Sequence, residues 1–233
     1  MINGLLIGVL VLFVAILWQW PSIQASLWRN KYQRMGLSSQ QKDILLRCMP
    51  IYRKMTDADR AKLERHIVWF LNEKRFIGCD GLKLTPAMKL IVAADACVLV
   101  LNKPWPGGTL VLSWHDVLEG SRLPSDGHNL VFHEFAHQLD QETGKTTGTP
   151  LLKSSADYKE WARVFSRAFT QLKSHVAYSM PHVIHSYGAT NEAEFFAVIT
   201  ETFIEKPAEL RRYDPEIYRM LVNYYQFDPI SWH

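Results

Sequence analysis

Cysteine is scarce. Three of 233 residues are Cys, at 48, 79 and 97, an odd count with no Cys-x-x-Cys pair. That excludes a disulfide scaffold and a thiolate zinc site, and leaves reduced, mostly buried thiols in a reducing compartment. An excess of one charge is also missing. The 26 Lys and Arg against 23 Asp and Glu leave a net charge of +3, with no long basic run. Direct nucleic-acid binding is therefore not expected. Gly (12) and Pro (11) are too few for a collagen-like or low-complexity chain, and there is no internal repeat. What remains is a chain 48% hydrophobic and 21% charged, long enough for one domain with a full core.

Residues 1–28 lack any charged side chain, and Ile2 to Trp20 is apolar except at Asn3 and Gln19. Nineteen helical residues span roughly 28 Å, about one hydrocarbon core. Trp18 and Trp20 fall where an interfacial belt would lie. Arg29, Lys31, Arg34 and Lys42 follow before the first acid, Asp43. No Lys or Arg precedes the run, and Gln24-Ala25-Ser26 is a poor cleavage site, which argues against a secretory signal. The expectation is a single-pass anchor in the bacterial inner membrane, with the rest of the chain cytoplasmic by the positive-inside rule. A buried core helix or a misread start is the plainer alternative.

Beyond the anchor the pattern is mostly helical. Thr56 reads as an N-cap with Asp57 and Asp59 in the first turn, and Leu63, Ile67, Phe70 and Leu71 form a stripe at helical spacing. Thr85-Pro86 opens another helix, with Met88, Ile91, Val92 and Cys97 as core. Pro104, Pro106, Gly107 and Gly108 break the chain, and Thr109 to Trp114 reads as a short buried strand. Helices are expected over about 129–141 with Gly144 as the stop, from about 155 with Trp161, Phe165, Ala168 and Leu172 on one face, over about 191–204, and from Asp214-Pro215 to about 225.

Within the 129–141 helix stands His133-Glu134-Phe135-Ala136-His137. Histidines at i and i+4 share one helix face, so both imidazoles can reach one Zn²⁺. Glu134 beside the first ligand can act as general base on a water and then return the proton to a leaving amine. The preceding strand would suit a peptide backbone. Asp140 and Thr143 stand where the long metzincin pattern requires Gly and His, so that class is excluded. A third ligand must come from further along the chain. Glu192, Glu194, Glu201, His175, His182 and His185 all qualify, and residue chemistry alone does not choose. Glu194 also fits a capping box with Asn191.

His133-Glu-Phe-Ala-His-Gln-Leu-Asp140, followed by Tyr187-Gly-Ala-Thr-Asn-Glu-Ala-Glu194-Phe-Phe-Ala197, resembles the Mlc titration factor A family of bacterial zinc metallopeptidases, whose catalytic core is similar to that of anthrax lethal factor. The likeness runs over about residues 40–228 and includes Leu110 to Gly120. It implies that His133, His137 and Glu194 bind one zinc ion, that Glu134 is the base, and that Tyr187 faces the metal, where its hydroxyl could stabilise an oxyanion. Tyr187 as an ordinary loop or core aromatic is the alternative. Asp140 is either an acceptor for a ligand ring N–H or a helix-closing residue. Glu201 is either a partner behind a ligand or a solvated or core-edge residue. Family members carry a longer segment before 109–114; here Leu101 to Gly108 is a short bridge.

The expected fold is α+β: a mostly helical zincin-like metallopeptidase domain with a small sheet over 29–233, after the membrane helix in 1–28. The expected function is aminopeptidase-like zinc peptidase action on short peptides. The resemblance also implies a partner, the glucose-responsive repressor Mlc, whose sequestration modulates sugar phosphotransferase uptake. A non-catalytic, membrane-tethered repressor-binding protein on a peptidase frame is the alternative.

Overall fold

Helix starts in this protein are written in single side chains. The computed structural model describes residues 36–78, 82–103 and 128–232. Ser38 caps α1 (Ser39–Cys48), and Gln41 returns the bond to the Ser38 backbone. Proline begins the short α2 (Pro50–Lys54). Thr56 caps α3 (Asp57–Glu73) by accepting from the Asp59 N–H, and Thr85 with Pro86 opens α4 (Pro86–Leu99). Asn129 caps α5 (Leu130–Gln141), Ser154 caps α6 (Ser155–Ala177) and Asn191 caps α7 (Glu192–Glu205). Asp214 with Pro215 starts α9 (Pro215–Tyr225), after α8 (Pro207–Tyr213). Each cap occupies N–H groups that the helix itself leaves unpaired. A 3-10 turn over Ser186–Ala189 precedes α7, and another over Pro229–Trp232 follows α9.

Two helices form the centre. Every residue of α4 from Ala93 to Leu99 is buried, and so is every residue of α7 from Phe195 to Glu205. Helix α5 packs against both. Aromatic side chains bind α6, α7 and α9 together: Trp161 stacks on Phe165 at 3.8 Å, Phe196 meets Trp161 at 5.7 Å, and Phe203 stacks on Tyr225 at 5.6 Å. Each such ring, once buried, contributes about 1.5–3 kcal/mol. The core therefore stiffens the helix pair α5/α7, which carries His133, His137 and Glu194.

Two expectations need correction. The α+β class with a small sheet does not hold: among the described residues every regular element is helical. The apolar side chains there repeat at helical rather than alternating spacing, and the strand expected over 109–114 lies outside the described residues. The single-pass membrane helix, and with it the inner-membrane location, is likewise not supported. Among the described residues no helix is long and apolar enough to cross a membrane. Helix α6 has the length, 23 residues, but carries Asp157, Lys159, Glu160, Arg163, Arg167 and Lys173; α4 is apolar but only 14 residues long. The run 2–20 lies outside the described residues.

Candidate metal centre

Helix α5 buries Val131, Phe132, Phe135, Ala136 and Leu139 and turns its polar edge to α7. His133 and His137, one turn apart, stand on that edge with their Nε2 atoms 3.2 Å from each other. Glu194, in the first turn of α7, brings Oε2 to 3.0 Å from His133 Nε2 and 3.4 Å from His137 Nε2. These three side chains form a group that could hold a metal ion. Ligands 2.0–2.1 Å from a tetrahedral zinc lie about 3.3 Å from one another, so the three donors already have the separations of one face of such a site.

The ring of His133 is fixed from behind. Its Nδ1 donates to Glu201 Oε1 at 2.7 Å. That sets the tautomer and leaves Nε2 with its lone pair toward Glu194 and His137. Burial alone would lower the His133 pKa; the hydrogen bond and charge of Glu201, with the charges of Glu194 and Glu134, outweigh it and hold the value above the ordinary one. Glu201 is 4% exposed, and its other oxygen accepts the backbone N–H of Asn129 at 2.7 Å. The Asn129 side-chain oxygen accepts from the N–H groups of Val131 and Phe132. Its amide nitrogen points to Asp95 of α4, 3.5 Å away.

The Nδ1 of His137 is buried and has no hydrogen-bond partner among the described residues. Asp140, one turn further, does not supply one. It is fully buried and accepts from the N–H groups of Gly148 at 2.7 Å and Thr149 at 2.8 Å. Burial raises its pKa against the pull of those N–H groups. Asp140 thus pins the segment after α5. Gly148 there has φ +73°, and a Cβ on it would come within 2.2 Å of the Glu192 carbonyl oxygen, so the segment lies directly on the start of α7. Trp161 adds a hydrogen bond to the Gly148 carbonyl at 3.0 Å. Between this segment, α5 and α7 opens a cleft of about 470 Å³, lined by Glu134, His137 and Glu194 and by the amides of Gln138, Gln141 and Asn191.

The other sequence candidates fall elsewhere. Glu192 lines the cleft without joining the cluster. His175 pairs with the Tyr213 hydroxyl at 3.0 Å, His182 Nδ1 faces the Met180 carbonyl at 2.8 Å, and His185 accepts from the Tyr187 N–H. Tyr187 stands on the 3-10 turn, 51% exposed, its ring 6.0 Å from that of His133. Asn191 accepts from the Glu194 N–H, so one half of the expected capping box forms, while the Glu194 carboxylate turns to the histidines instead. Sequence reasoning did not assign Asn129 or Asp95 to the site. The available signal was an acid inside an apolar helix, Ile91 to Leu99, where a lone carboxyl needs a partner.

The comparisons agree with this architecture. The sequence profile described as glucose-regulated metallo-peptidase M90 matches residues 24–107 and 103–226. The two matches meet at 103–107, within the bridge that reads as short. An uncharacterized protein of Synechocystis sp. is 34% identical over 272 aligned positions, covering 98% of this chain and 98% of that protein. That alignment is longer than the 233-residue chain and so carries gaps in it. Mlc titration factor A of Klebsiella pneumoniae is 24% identical over 78% of this chain and 84% of its own. Mlc titration factor A of Pectobacterium atrosepticum is 25% identical over 93% of each. By the extent of these matches, and with a His-His-Glu group at its centre, the chain belongs to the glucose-regulated metallo-peptidase M90 family.

Proposed function

We propose that this chain is a zinc-dependent peptidase that acts on short peptides in an aminopeptidase-like manner. One observation carries the reading: His133 Nε2, His137 Nε2 and Glu194 Oε2 converge at 3.0–3.4 Å beside Glu134 in an open cleft. Those three residues would hold the ion. When bound there, zinc supplies Lewis-acid polarisation of a carbonyl and lowers the pKa of a water. Glu134 takes the proton of the attacking water and delivers it to the departing amine. Tyr187, its ring 6.0 Å from that of His133, would donate its hydroxyl proton to the developing oxyanion of the substrate. Glu201 keeps the His133 ring in the tautomer that leaves Nε2 free to bind. The polar cleft wall offers amides to a peptide backbone.

The test compares the zinc-loaded chain with Glu134→Gln on a panel of fluorogenic aminoacyl and short-peptide substrates. The expected result is a rate loss of about 10²–10⁴-fold with zinc content unchanged. Equal rates in the two proteins would sink the assignment of Glu134.

A second reading is binding of an Mlc-type repressor, supported by the relatives called Mlc titration factor A. It is compatible with the first. A purified repressor of that type should be retained by Glu134→Gln as well as by the native chain, since the base has no part in a docking surface.

A further inference from the structure

Asn129 and His133 belong to a closed loop of hydrogen bonds. The His133 N–H donates to the Asn129 carbonyl at 3.0 Å, the His133 ring donates to Glu201 at 2.7 Å, and Glu201 accepts the Asn129 N–H at 2.7 Å. Backbone and ring of one ligand are thus referred to a single residue. That residue needs a reference of its own. Its side-chain oxygen is taken by the Val131 and Phe132 N–H groups, which leaves the amide nitrogen to be oriented from the other side. The group on that side is Asp95, 6% exposed, on the interior helix α4.

A carboxyl in this place is costly. It stands between Ala94 and Ala96 on a helix whose neighbouring residues are apolar and buried, and a buried polar group lowers stability unless it is bonded. Alanine would complete the apolar surface. Among the described residues, the contact that compensates is the Asn129 amide, 3.5 Å away.

From this geometry we infer that Asp95 is a positioning residue for the ligand His133, acting through Asn129 and Glu201; the inference rests on the metal-centre reading above. It extends the site to a third helix. Helix α5 carries the ligand, α7 carries the carboxylate behind it, and α4 supplies the group that fixes the cap from which both are hung. Removing Asp95 frees the Asn129 amide to turn, loosens the N–H that Glu201 accepts, and lets the His133 ring leave its orientation.

The experiment measures zinc affinity of the full chain by competition with a chromophoric chelator, and the visible d–d spectrum of the cobalt-substituted chain. Asp95→Ala should weaken zinc binding by about 10-fold, the low end of the range for loss of a group behind a ligand because it acts through Asn129 and Glu201, and should alter the cobalt bands. Asp95→Asn keeps an oxygen for the Asn129 amide and should restore both to within a few-fold of native. A merely structural role would move thermal stability without changing the cobalt spectrum. Should Asp95→Ala fail to fold, Asn129→Ser gives the same test: it retains the cap oxygen and the backbone N–H but loses the amide donor, and it should show the same loss. Native affinity and native cobalt bands in folded Asp95→Ala, or in Asn129→Ser, would overturn the inference while leaving the metal centre intact. Absence of zinc binding by the native chain would remove the metal-centre reading itself, and the inference with it.

Discussion

His133 is tied to Asn129 twice, once through its backbone N–H to the Asn129 carbonyl and once through its ring by way of Glu201. The residue that begins helix α5 therefore also orients the first histidine on it. Glu201 is the joint of this arrangement because each of its oxygens serves one side. Replacing it by Gln leaves one oxygen and one amide where two acceptors are needed. Glu201→Gln should lower zinc affinity by about 10–100-fold, measured by chelator competition, with the cleft residues unchanged.

Metal removal gives a second expectation. A ligand at a hundredfold excess over its Kd stabilises the folded state by about 2.7 kcal/mol, which for a chain of this size is about 5–10 °C in Tm. Zinc should raise the Tm of the chelator-treated protein by that amount. Glu194→Ala should abolish the rise, because it removes one donor of the three. Scanning calorimetry with and without chelator reads both.

Asp140 and Gly148 make a stability prediction that does not involve metal. Asp140→Ala strands the N–H groups of Gly148 and Thr149. A buried donor left unpaired costs about 1–3 kcal/mol; with Gly148 buried and Thr149 only half-buried, the loss should be at least about 1–3 kcal/mol in urea unfolding. Gly148→Ala meets both a φ of +73° and the Glu192 carbonyl oxygen at 2.2 Å, and should lose at least about 2 kcal/mol. Both variants should also raise KM, since the segment they loosen borders the cleft.

The pH dependence of stability should carry the signature of Asp95. Burial pushes its pKa from the ordinary 3.8 up to about 7, although the Asn129 hydrogen bond opposes the shift. Between those two values the folded chain holds a proton that the unfolded chain has released. Stability from this group is thus whole below about pH 4 and declines as pH rises through 7. Asp95→Asn does not titrate, so the difference in unfolding free energy between variant and native should move in favour of the variant from pH 4 to 8. A difference that stays flat across that range would contradict the assignment.

Local chemistry was legible in the sequence where one or two residues decide the outcome. Thr56, Thr85 with Pro86 and Asp214 with Pro215 mark helix starts because the cap bond forms within three residues. The pairing of His133 with His137 follows from helix periodicity alone. The third member of the cluster was not legible from physics. Six candidates were chemically equal, and only the packing of α7 on α5 separates Glu194 from Glu201, which share a helix but meet opposite sides of the His133 ring. Asp140 stands in the last turn of its helix, and its carboxylate serves a segment eight and nine residues away rather than a ligand ring. Asp95 lies 34 residues from Asn129, and no local pattern joins the two. The sheet and the membrane helix were expected from apolar runs, a signal that does not report which partner surface a run will find.

Asp140 sits on the same rigid rod as His137, a single turn away, and holds the opposite bank of the cleft by two bonds. The helix therefore works like the beam of a caliper: one jaw is the histidine pair, the other is the 146–149 segment, and a single element sets the gap between them. On the peptidase reading proposed above, a substrate side chain too wide for that gap would strain the helix that carries both histidines. Size discrimination and rate would then change together, and a substitution that widens the opening would shift the alignment at the same time.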